Sequence, residues 1–147
     1  MLILLSTLLR QHVSPALPEP LARAARPALE RGARFVHAHG LLRKGVGLCH
    51  GVAGSVYALL AVSDALDPGP DTANAGLKEQ TWLRAAAHLA HCACAYERLT
   101  ARGEMRTPDR PYSLYECIAG MCCAWADVVA RIDGRKGSGM PGYDDLV

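Results

Sequence analysis

Residues 50 to 60, "HGVAGSVYALL", decide how the chain is read. Beyond Gly51, the residues Val56, Leu59 and Leu60 share one side of a helix that the spacing predicts from Val52 to about Leu66. Gly51, Ala53 and Gly54 leave the start of that helix nearly bare, so another backbone can approach it closely. A second small-residue start, "ECIAG", stands at residues 116 to 120. There Leu114, Ile118, Cys122 and Trp125 carry an apolar stripe to about Ala130, and Ser113 with Glu116 has the spacing of a capping box that opens the helix.

Outward from these two starts, three further helices are predicted. Leu2, Leu4, Leu5, Leu8 and Leu9 make a short one at the beginning of the chain, followed by the proline-rich turn "SPALPEP". Leu21, Ala25, Ala28, Leu29 and Val36 recur at helical spacing to about His39, with Pro27 as a kink or as the true beginning and Gly40 as a stop. "DPGPDTANAG" at 67 to 76 is a loop by its turn residues. A fourth helix is expected from about Lys78 to Ala101, with Trp82, Leu83, Ala86, Leu89, Ala90 and Ala93 on its buried side. The last residues, 132 to 147, are Gly-rich and expected to be a flexible tail. Helices with small-residue starts alternate with longer, more charged ones. That is the pattern of a two-layer helical repeat, inner helices brought close at one end and outer helices covering them.

Composition agrees with an all-α chain. Of 147 residues half are hydrophobic while aromatic residues are 5%, which favours closely packed helices over strands and gives enough apolar side chains for a core. A net charge of +2 without clustered arginines excludes a strong nucleic-acid surface. Six cysteines gathered mostly in the second half of a chain with an ordinary core fit a reducing compartment better than a disulfide scaffold. "MLILLSTLLR" has no basic lead-in and no small-residue cleavage pattern, and no stretch approaches the ~18 apolar residues of a membrane span. A cytoplasmic protein is expected.

Just before the deciding helix, "RKGVGLCHG" at 43 to 51 brackets adjacent Cys49 and His50 with glycines. Neighbours in a helix or strand diverge, whereas a glycine-bracketed loop can turn a thiolate and an imidazole toward one point. These are donors that zinc prefers, but two are too few, and a buried cysteine beside a helix-capping histidine explains the pair equally well. His88, His91 and Cys92 fall on one helix face and could chelate; an amphipathic outer helix with exposed histidines explains them too.

"GLLRKGVGLCHGVAGSVYALL" together with "RTPDRPYSLYECIAG" resembles the C-terminal portion of the eukaryotic LanC-like proteins, relatives of the bacterial lanthionine cyclases, over residues 1 to 131. The resemblance implies an α/α toroid, of which this chain would be a partial one of about five helices. It implies a zinc held by two cysteines and a histidine, with Cys49 and His50 as two of these ligands, and glutathione bound by Lys44 and Arg106. The implied reaction is addition of the glutathione thiol to a dehydroamino acid in a peptide or protein. The Trp-Cys-His-Gly-Ala-Pro-Gly motif that carries the family's other cysteine ligand would end just ahead of "MLILLSTLLRQ", so one ligand is missing. The chain is therefore expected to be a toroid cut open, a fragment or late-start product that self-associates through uncovered helix faces. Cys117 stands where the family usually has glycine. The alternative functions are a non-catalytic glutathione- or peptide-binding helical fragment and a toroidal glycosidase, the latter with Glu116 as its only good carboxylate.

Overall fold

A computed structural model describes residues 1–9, 18–67 and 80–143. In it the chain forms α1 (Leu2–Leu9), α2 (Glu19–His39), α3 (Val52–Leu66), α4 (Thr81–Ala93), α5 (Tyr96–Ala101) and α6 (Ile118–Ile132). Among the described residues there is no strand, and the all-α expectation holds. Helices α1, α3 and α6 form the inner layer, with α3 in contact with both of the others, while α2 and α4 lie over α3 as the outer layer. This is the alternation of an α/α toroid segment.

Helix α3 is the centre of the core. Its Val52, Ala53, Val56, Tyr57, Leu59, Leu60, Ala61 and Val62 are all buried, far more than one stripe, because neighbours cover it on several sides. By contrast α4 buries the side foreseen, with Trp82, Leu83, Ala86, Leu89, Ala90 and Ala93 turned inward. Its first turn is held from across the preceding loop. Both carboxylate oxygens of Asp67 accept the Trp82 N–H, at 3.0 and 3.2 Å, and one also accepts the Leu83 N–H at 2.9 Å. That satisfies helix-start donors no intrahelical carbonyl can reach.

Three helix boundaries differ from those expected. The long fourth helix is two helices, because the Cys94 and Ala95 N–H groups reach back to His91 and Cys92 at three-residue spacing, and this tighter turn ends α4. The last helix begins at Ile118 rather than near Ser113. Ser113 Oγ does accept the Glu116 N–H at 2.9 Å, but within a turn ahead of the helix, and the Glu116 carboxylate makes no return bond among the described residues. Pro27 neither starts nor divides α2; it is exposed, on a face where water can take the carbonyl that loses its donor. The "SPALPEP" turn up to Leu17, the loop from 68 to 76 and the expected helix start at Lys78 lie outside the described residues.

After α6 the chain returns onto its own helix. Asp127, buried within α6, accepts the Ser138 N–H at 2.7 Å and the Gly139 N–H at 2.9 Å, and Met140 is buried beside the core. Residues 144 to 147 of the expected tail are outside the described set.

Candidate functional site

The deciding helix has no side-chain cap. Gly51 stands at its N-terminus in an extended conformation, and the N–H groups of Val52, Ala53 and Gly54 donate to the carbonyls of Gly45, Val46 and Gly47 at 3.1, 3.2 and 3.4 Å. The preceding loop is therefore folded beneath the helix end and uses up its free donors. Two glycines make this possible. Gly45 has φ +127°, and a Cβ on Gly47 would lie 2.2 Å from the Glu116 carbonyl carbon and oxygen. With Val46 and Leu48 buried beneath the turn, the next two side chains, Cys49 and His50, are exposed side by side at its outer edge.

The segment ahead of α6 lies against this loop. The Cys49 N–H donates to Tyr115 O at 2.9 Å, and the Arg106 N–H donates to Arg43 O at 2.7 Å. The two segments singled out in the sequence are thus neighbours in space, held backbone to backbone. This brings Lys44 and Arg106 to adjoining positions on the two segments. Both are exposed, and neither side chain has a hydrogen-bond or ion-pair partner among the described residues. Arg43 has a different task. Its guanidinium donates to the Glu104 carbonyl at 3.3 Å and the Gly103 carbonyl at 3.2 Å, tying the loop to the end of α5.

The other candidate donors are elsewhere. His88 turns its two nitrogens to different partners: Nδ1 is 3.0 Å from His37 Nε2, and Nε2 is 3.6 Å from Cys92 Sγ. His91 lines a depression of about 320 Å³ with Cys94, Ala95, Glu97 and Arg98, which shares no residue with the Cys49 turn. Cys117 is fully buried and its thiol donates to Tyr96 Oη at 3.4 Å. Among the described residues no group of three or more His, Cys, Asp or Glu side chains could hold a metal ion. As donor types Cys49 and His50 suit zinc; as a set they are half of a tetrahedron.

Two structural residues were missed by reading the sequence. Asp127 ties down residues 138 and 139 and also accepts the Tyr57 hydroxyl; burial first, then this carboxylate, raises the Tyr57 phenol far above its ordinary 10.0. A carboxylate on a helix otherwise read as apolar was the available signal. His37 gave none, because its partner is on another helix.

The family model described as lanthionine synthetase C-like protein matches residues 19–135. Glutathione S-transferase LANCL1 of Danio rerio is 36% identical over 90 residues, which are 61% of this chain and 18% of that protein. LanC-like protein GCL1 of Arabidopsis thaliana is 32% identical over 126 residues, 85% of this chain and 25% of the relative. The matched part therefore spans a quarter or less of these curated relatives, and no solved structure matches. With the family match running across most of the described helices and both glycine-rich turns, the chain belongs to the lanthionine synthetase C-like protein family.

Proposed function

We propose that this chain carries part of a LanC-like site for zinc-dependent addition of a thiol, glutathione, to dehydroamino acids in peptides or proteins. The observation that carries the reading is the glycine turn itself, which leaves Cys49, His50 and Lys44 exposed and is bonded at Arg43 to the backbone of Arg106, the Lys44 and Arg106 side chains having no partner among the described residues. Zinc, where bound, would supply deprotonation of a thiol at neutral pH. Cys49 would offer a thiolate donor and His50 an imidazole, with the remaining protein ligand coming from outside the described residues.

Lys44 and Arg106 would hold the glutathione carboxylates, Arg as a planar fork and Lys as a point charge. Side chains must do this here. The first N–H groups of α3, often an anion site, are already bonded to Gly45, Val46 and Gly47. A cytoplasmic location is supported by six free cysteines, and no helix among the described residues is long and apolar enough to cross a membrane. Exposed Leu4 and Leu8 on α1, with Val129 and Ile132 on α6, support the expectation of self-association, readable by sedimentation.

The glutathione reading is tested by calorimetric titration of the purified chain. Lys44→Ala and Arg106→Ala should each weaken glutathione binding several-fold, and unchanged affinity in both removes the clamp. A competing reading keeps glutathione or peptide binding without catalysis. Glutathione affinity that persists in Cys49→Ala/His50→Ala, together with no zinc uptake by the parent chain, would favour it.

A further inference from the structure

Helices α2 and α4 meet on the outer layer at a line of three proton-carrying side chains. His37 Nε2 faces His88 Nδ1 at 3.0 Å, the two rings crossing edge to face at 80° with centroids 5.2 Å apart. One turn along α4, the other nitrogen of His88 is 3.6 Å from Cys92 Sγ. The order is thiol, imidazole, imidazole, with both histidines exposed and Cys92 half-buried.

In one arrangement of protons the Cys92 thiol donates to His88 Nε2, while His88 Nδ1–H donates to His37 Nε2. His37 then fixes the tautomer that leaves Nε2 of His88 as an acceptor, which is the relation of nucleophile, base and orienting group. Neither exposed cysteine of the second half of the chain has such a partner among the described residues. The Cys94 thiol donates to the Ala90 carbonyl at 3.6 Å, an acceptor that cannot take the proton, and the exposed Cys122 thiol has no hydrogen-bond partner among the described residues.

We propose that Cys92 is a nucleophilic thiol, served by His88 as base and by His37 as a positioning residue, that is modified by soft carbon electrophiles of the activated-alkene class. It is independent of the Cys49 turn. As the sulfur attacks, an S–C bond forms and the alkene π bond opens toward its carbonyl. The thiol proton passes to His88 Nε2, and the α-carbon of the adduct then takes a proton from the His88 imidazolium. Nothing is oxidised and no group leaves, so the alkene is the only co-reactant.

The test is a brief N-ethylmaleimide pulse on the purified chain at neutral pH with chelator present, each cysteine read by peptide mass spectrometry. Cys92 should label about a hundredfold faster than Cys94 and Cys122, the low end of what a positioned base contributes. His88→Gln should bring Cys92 down to their rate and leave theirs unaltered, while His91→Gln, on the same helix, changes nothing. His37→Phe should lower the Cys92 rate several-fold, and His37→Gln, whose amide oxygen can accept the Nδ1 proton, should retain it. The proposal is overturned if Cys92 labels no faster than Cys122, if His88→Gln leaves its rate intact, or if His91→Gln lowers it equally.

Discussion

The segments leading into α3 and α6 share one backbone plan and differ in what they display. Gly54 and Gly120 occupy matching places three residues into helices of 15 residues each, and a Cβ on either would strike the carbonyl of the leucine six positions before it, Leu48 at 2.3 Å or Leu114 at 2.2 Å. The first N–H of each helix also bonds seven residues back, Val52 to Gly45 and Ile118 to Pro111. On this common frame the first segment presents Cys49 and His50 where the second presents Tyr115 and Glu116. The scaffold is repeated, and the candidate chemistry belongs to one copy.

The two copies also differ at their N-cap. A Cβ on Gly51 would meet the Gly47 nitrogen at 2.3 Å, whereas the second copy has room for a whole cysteine, Cys117, buried against Tyr96. The tight backbone approach in that copy is at Gly120 instead.

The largest effect should come from breaking the contact between the copies. In Gly47→Ala the new methyl meets backbone of Glu116 rather than a side chain that could swing aside, so urea denaturation should show a loss of about 3 kcal/mol or more. Next is the N-cap contrast. Gly51→Ala should cost about 2 kcal/mol and Cys117→Ala about 1 kcal/mol, in line with overpacking against loss of a small buried group. Equal costs would mean that the two starts are not built differently.

Asp67→Ala removes the carboxylate from the first turn of α4 and should cost about 1 kcal/mol in the same assay. The smallest effect is confined to alkaline pH. Tyr57 keeps its proton in the folded chain past the pH at which the unfolded chain releases it. Its contribution is therefore intact below pH 10.0 and is lost as pH rises above that value. Tyr57→Phe should flatten this part of the stability profile, and an unchanged slope would argue against burial of the phenol beside Asp127.

Helix type and layering were legible because Val56, Leu59 and Leu60, or Trp82, Leu83 and Ala86, advertise their buried faces by spacing alone. The pairing of the two glycine turns was legible only as a likeness between "HGVAG" and "ECIAG" and through the family resemblance. Boundaries were less so. Nothing in "AHCACAYERL" announces that Cys94 and Ala95 will tighten to three-residue bonding, and Ser113 satisfies a capping pattern while sitting in a turn outside its helix. The bonds that His37, Arg43 and Asp127 make to other segments were invisible for a simpler reason: each depends on where another segment ends up, and local spacing carries no such information.

The central claim is that the repeated scaffold carries its candidate metal donors in one copy only, at Cys49 and His50. Cobalt(II) titration of the purified chain reads this directly, through the near-ultraviolet charge-transfer absorption of a thiolate bound to the metal. The absorption should appear with the parent chain and with Cys117→Ala and Cys92→Ala, and vanish with Cys49→Ala. An absorption that survives Cys49→Ala, or is lost with Cys92→Ala or Cys117→Ala instead, would contradict the account.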